Sequence, residues 1–153
     1  LPNLMPVTQK NTLFNLKMLG VTPIIAHPER YKPVHKDINL VYEWLAAGCL
    51  IQIDAGSLLG RFGKTAKAIS EKIIMRNWCQ ILGSDAHDNK KRNFILKDAY
   101  ELTKDLIGEN AEPLVYDNPM AVINGKSIII EPEENKIEKG NSFWNKFVSK
   151  KKK

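Results

Sequence analysis

The chain has 153 residues, with 23 Lys and Arg against 17 Asp and Glu, for a formal net charge of +6. Lys146 and Lys150, Lys151, Lys152 and Lys153 account for all but one of those net charges, so the body is nearly neutral and lacks the basic folded face of a nucleic-acid-binding domain. At 43% hydrophobic and 26% charged residues it is an ordinary globular chain, without an apolar run near the roughly 20 residues of a membrane-crossing helix and without a basic-then-apolar leader.

Residues 1–7 contain Pro2 and Pro6 and read as extended or irregular. From Thr8, an N-cap, Leu13, Leu16, Met18 and Leu19 predict a helix ended by Gly20. Residues 22–26 form a short apolar run, a buried strand, stopped by His27 and Pro28 because proline cannot continue a ladder. Ile38, Leu40, Val41, Trp44 and Leu45 predict a second helix closed by Gly48, and residues 49–54 a second strand. A loop over 56–63 follows. Ala66, Ile69, Ile73 and Ile74 mark a third helix, residues 78–82 a third strand, and Ile95, Ala99, Leu102 and Leu106 a helix before Gly108.

Alternating helices and strands at this spacing predict an α/β fold with parallel strands. Asn118 and Pro119 start a short helix capped by Asn124 and Gly125, with a hairpin turn at Asn124-Gly125 as the alternative. Phe143, Trp144, Phe147 and Val148 precede the lysine run, a composition suited either to an anionic membrane surface or to a solvated terminus. Cys49 and Cys79 are too few for a disulfide framework and read as buried free thiols of a cytoplasmic protein.

Functional groups of parallel α/β proteins gather at the carboxyl ends of strands. His27 follows the first strand, with Arg30 three residues on; Asp85 and His87 follow the third, with Arg92 beyond. On extended backbone, residues two apart point the same way, so Asp85 and His87 converge. A carboxylate with imidazoles suits divalent Zn, Mn or Fe. The alternative is structural: a satisfied strand-end histidine, and Asp85 as a helix cap. His35 reads as a surface residue of a polar connector. Arginine forks match phosphate oxygens, so Arg30 and Arg92 beside metal donors suggest phosphate-ester chemistry. Gly63-Lys64-Thr65 is not a P-loop, because Leu58 stands where that motif needs glycine. A cysteine phosphatase wants Arg six residues after Cys, where Cys49 finds Ala55 and Cys79 finds Asp85.

The segments I-I-A-H-P-E-R-Y (24–31), Q-I-D-A-G-S-L-L-G-R-F-G (52–63), G-S-D-A-H (83–87) and D-N-P (117–119) together resemble the bacterial tyrosine-protein phosphatases of capsular and exopolysaccharide biosynthesis, members of the polymerase and histidinol phosphatase (PHP) superfamily. The resemblance covers about residues 1–125. It implies the C-terminal part of a distorted seven-stranded (β/α) PHP barrel, TIM-like; with the composition of the chain's end, the expected division is a phosphatase part over residues 1–140 and a basic amphipathic tail over 141–153. It further implies a divalent metal cluster, Mn first with Fe or Zn as alternatives, with His27, Asp85 and His87 as ligands and Arg30 and Arg92 as catalytic, phosphate-binding residues. The implied substrate is phosphotyrosine on the tail of a bacterial tyrosine kinase of polysaccharide synthesis. The expected location is cytoplasmic; the charge distribution gives no nucleic-acid partner, and the lysine tail a weak membrane-surface contact.

The family's amino-terminal H-x-H pair, a following acidic ligand, a further His and a mid-chain Glu have no counterpart here, and Asp54 stands where the resemblance implies Asn. The expectation is therefore the carboxyl-terminal half of a phosphatase, beginning after the strand that bears that Glu and weak or inactive alone. The alternatives are a PHP phosphoesterase for a small molecule such as histidinol phosphate and a non-catalytic phosphopeptide-binding fragment.

Overall fold

A computed structural model describes residues 9–87 and 94–130. Arg92 and the tail 141–153 lie outside the described residues. The element order is α1 (Gln9–Met18), β1 (Ile24–Ala26), a 3-10 turn (Pro28–Arg30), α2 (Lys32–Lys36), α3 (Asn39–Ala46), β2 (Leu50–Asp54), α4 (Ala55–Leu58), α5 (Lys64–Met75), β3 (Ile81–Gly83), α6 (Leu96–Ile107), a second 3-10 turn (Gly108–Ala111), α7 (Glu112–Val115) and α8 (Asp117–Ile123). The three strands pair in the order β1-β2-β3, all parallel. The architecture is therefore mixed α/β with a small parallel sheet, as the alternating pattern predicts.

Parallel strands are covered on both faces and read as continuous apolar runs. Central β2 conforms, with Leu50, Ile51 and Ile53 all buried. Around it the core gathers Val34, Val41, Trp44 and Leu45 from the α2–α3 region, Ile69, Ile73 and Ile74 from α5, Trp78, and Ala99 of α6. The 3–4 spacing in α3 and α5 turns one face of each helix to this core. Helices α3, α5 and α8 end alike, with the first residue beyond the cap in a left-handed conformation and two backbone bonds closing the turn. Gly48 donates to the Leu45 carbonyl and Cys49 to Trp44; Gly125 donates to Val122 and Lys126 to Ala121. At the end of α5 Asn77, with φ 58°, takes the glycine's place. The hairpin alternative at Asn124-Gly125 is thus not what forms.

Three boundaries differ from the sequence reading. Strand β1 is shorter than 22–26, because Pro23 has no N–H and contributes only its carbonyl, which accepts from Leu50 N. The third strand begins at Ile81 rather than Trp78. The chain leaves α5 through the Asn77 turn, and the Gln80 side chain, not a backbone carbonyl, accepts from Ile51 N at 2.9 Å. The segment 56–63 is not all loop: Asp54 caps α4, its Oδ1 accepting from Gly56 N at 2.7 Å. No helix among the described residues is long and apolar enough to cross a membrane.

Candidate phosphate and metal site

Each strand delivers one polar residue at or just past its carboxyl end: His27 after β1, Asp54 closing β2, Asp85 two residues after β3. Register explains their proximity, since Ala26 pairs with Gln52 and Asp54 with Gly83. His27 N also donates to the Gln52 carbonyl at 2.8 Å, which fixes the turn out of β1.

Arg30 ties the strand ends together. Its Nη1 lies 3.3 Å from Asp54 Oδ2 and 3.4 Å from Asp85 Oδ2. The guanidinium also stacks on Phe62, with Cζ 4.1 Å from the ring centroid. Among the described residues only Nη1 forms hydrogen bonds, so the other N–H groups of the fork remain available to an anion.

Two of these residues hold unusual backbone. His27 (φ 42°) and Asp85 (φ 46°) are two of the three non-glycine residues with positive φ among the described residues. Left-handed backbone costs a side-chain-bearing residue about 1–2 kcal/mol, and such strain collects at functional sites. His27 is braced by an aromatic chain: its ring meets Tyr31 edge-on at 5.9 Å, and Tyr31 meets Trp44 at 6.2 Å. The Tyr31 hydroxyl donates to the Ala26 carbonyl at 3.0 Å.

The left-handed φ corrects one part of the sequence argument. Asp85 is not extended, so the i, i+2 rule is not what brings Asp85 and His87 together. A tight turn does so instead, with His87 Nδ1 2.7 Å from the Asp85 carbonyl and 3.9 Å from Asp85 Oδ1. His35 is exposed, in keeping with its surface reading, although its segment is helical (α2) and Nε2 lies 2.7 Å from the Glu29 carbonyl.

The sequence reading passed over two groups. Glu29 is fully buried beneath the site, and its Oε1 accepts from Asp54 N at 3.3 Å. Desolvation pushes its carboxyl up to about 7, offset in part by the neighbouring Ser57 hydroxyl and the Asp54 N–H. Phe62 is the other. Its signal was its place in the loop after β2, opposite a strand-end arginine.

The donor chemistry suits a divalent metal in part. His27 Nδ1 is buried without a hydrogen-bond partner, an arrangement that calls for an explanation in a folded protein and that a metal would supply. Yet among the described residues no three His, Cys, Asp or Glu side chains cluster closely enough to hold an ion. The described donors are of the right kind, but they do not form a complete centre.

A cleft of about 700 Å³ lies at the opposite, amino-terminal end of the strands, lined by residues including Lys17, Thr22, Ile24 and Leu50. None of the candidate site residues lines it; they stand on the other rim of the sheet.

Comparison with known proteins decides the family. The family described as "Capsular polysaccharide synthesis, CpsB/CapC" matches residues 5–124. The chain belongs to this family. It is 30% identical over 129 residues to the tyrosine-protein phosphatase YwqE of Bacillus subtilis, covering 84% of this chain and 51% of YwqE. It is 39% identical over 98 residues to the putative tyrosine-protein phosphatase CapC of Staphylococcus aureus, covering 64% of this chain and 38% of CapC. It is 31% identical to CpsB of Streptococcus pneumoniae over 117 residues, covering 72% of this chain and 48% of CpsB. A solved chain from the crystal structures of YwqE and CpsB, described as unique metal-dependent tyrosine phosphatases, superposes with a TM-score of 0.81 at 30% identity, covering 86% of this chain and 53% of that one. The chain thus spans about half the length of the curated relatives it matches, or less.

Proposed function

We propose that this chain forms the phosphate-holding part, and part of the metal centre, of a metal-dependent protein-tyrosine phosphatase of capsular polysaccharide synthesis. The observation that carries the reading is Arg30, held by Asp54 and Asp85 at the carboxyl ends of parallel strands in a chain of the CpsB/CapC family. The two carboxylates anchor one edge of the guanidinium and leave the rest of the fork for phosphoryl oxygens, where a pre-placed cation stabilises developing charge. Arg92 is assigned the same task from its sequence position. His27, Asp85 and His87 supply metal donors, completed by donors outside the described residues. A divalent ion bound there, Mn first and Fe or Zn as alternatives, supplies Lewis acidity to the phosphate ester.

The remaining parts of the proposal rest on the family resemblance and the sequence. The three strands form part of a seven-stranded PHP barrel, the enzyme is cytoplasmic, and its substrate is phosphotyrosine on a tyrosine kinase of polysaccharide synthesis. The boundary at residue 140 and a lipid-surface contact for the tail 141–153 rest on Phe143, Trp144 and the following lysines.

The test is phosphate release from a phosphotyrosine peptide with added manganese, by this chain beside full-length YwqE. The expected result is metal-dependent turnover well below that of YwqE and lost in Arg30→Ala. Preferential hydrolysis of histidinol phosphate would move the reading to a small-molecule phosphoesterase. Because the described donors do not close a metal site, a second reading is a phosphopeptide-binding domain; binding without turnover, indifferent to a chelator, would establish it.

A further inference from the structure

The geometry points to Phe62 as a specificity-determining residue that makes the site prefer aryl over alkyl phosphate esters, an inference that rests on the proposed reading of Arg30 as the phosphate anchor. In a phosphotyrosine the aromatic carbon is bonded directly to the ester oxygen, so a phosphoryl group gripped by Arg30 carries its phenyl ring into the space beside that arginine. Phe62 already occupies one flank, 4.1 Å from the guanidinium carbon. It is 38% exposed, so a substrate ring held beside Arg30 can reach it. Aromatic pairs favour offset or edge-to-face contact, an attraction that a serine or threonine phosphate cannot match.

Phe62 is also placed by its loop. After α4 the chain turns back on itself, with Leu59 N donating to the Ala55 carbonyl, Gly60 N to Ser57, Arg61 N to Gly56 at 2.8 Å, and Gly63 N to Gly60. Gly56 makes the packing possible, since a Cβ there would stand 3.0 Å from Phe62 Cε2 and 3.1 Å from Asp54 Oδ1. The absent side chain lets the ring lie against the helix start and reach Arg30. The same short segment therefore delivers Asp54, which holds the guanidinium edge-on, and Phe62, which covers its face.

The test is equilibrium binding of two peptides of identical sequence, one bearing phosphotyrosine and one phosphoserine, to this chain and its variants. The parent should prefer phosphotyrosine by about twofold to thirteenfold, the range that an aromatic pair supplies beyond area burial. Phe62→Leu should bring the two affinities together without weakening phosphoserine, and Phe62→Tyr should keep the preference. Gly56→Ala, which displaces the ring without removing it, should also reduce the preference and provides a second reading should Phe62→Leu fail to fold. A preference unchanged in Phe62→Leu, or both peptides weakened equally, overturns the inference. If the parent binds both peptides alike and Arg30→Ala loses both, the inference falls while the phosphate-anchor reading stands. If neither peptide binds and Arg30→Ala changes nothing, both fall.

Discussion

Glu29→Gln isolates the energetic cost of keeping a carboxyl beneath the site. Glu29 is fully buried, and burial raises its carboxyl from about 4.5 to about 7. Between those values the folded chain binds more protons than the unfolded chain, so stability falls as pH rises. The contribution is complete below about pH 4.5, is lost on passing through pH 7, and is flat beyond. At 1.36 kcal/mol per pH unit the full swing is about 3 kcal/mol.

Glutamine keeps an acceptor for the Asp54 N–H. The variant therefore removes the titration with little other change. Urea unfolding of both proteins at several pH values between 4.5 and 8, in the presence of a chelator, should show the parent losing about 3 kcal/mol relative to Glu29→Gln over that range. Parallel stability profiles would refute the argument, since they would mean that Glu29 titrates alike folded and unfolded.

Asp54→Ala removes both the α4 cap and one anchor of Arg30, and should destabilise by about 3 kcal/mol, the lower end for breaking a buried ion pair; Asp54→Asn, which retains the cap acceptor, should cost less in the same thermal melts. Asp85→Asn should leave the fold intact, because Asn tolerates left-handed backbone, while manganese uptake measured by calorimetry falls. Burial raises both cysteine thiols, Cys79 to about 12, so neither should react with a thiol reagent at pH 8 until urea unfolds the chain.

What the sequence revealed follows from which interactions are local. Helix ends were legible because a single residue type dictates them, as with Gly48 and Gly125, and so was β2, whose apolar run belongs to a strand covered on both faces. The start of β3 was not legible. There a side-chain amide from Gln80 replaces a ladder carbonyl, and no periodicity records such a substitution. The strand-end positions of His27 and Asp85 could be read from the chain, but their left-handed backbone could not, since it is imposed by the turns that follow. Glu29 looked like one polar residue in a loop of several. Only the folded chain shows that the 3-10 turn after Pro28 directs it inward, beneath Asp54.

The same arrangement bears on why the described donors fall short of a metal centre. Strands β1 and β3 each have one hydrogen-bonded neighbour among the described residues, and the site lies along the rim of only three strands. A site on such a rim gathers its residues from the ends of several strands. Here β1 leads to a buried imidazole nitrogen without a hydrogen-bond partner, β3 to a carboxylate that pairs with Arg30, and the carboxylate of central β2 both pairs with Arg30 and caps α4. The candidate donors sit on the flanks, and Arg30 bridges the two carboxylates. Manganese affinity of the chain should therefore be weak, and should fall little further in His87→Ala, because His87 is exposed and adds a single donor. Tight binding, by contrast, with one ion per chain held against micromolar chelator, would mean that the residues at hand do close a centre.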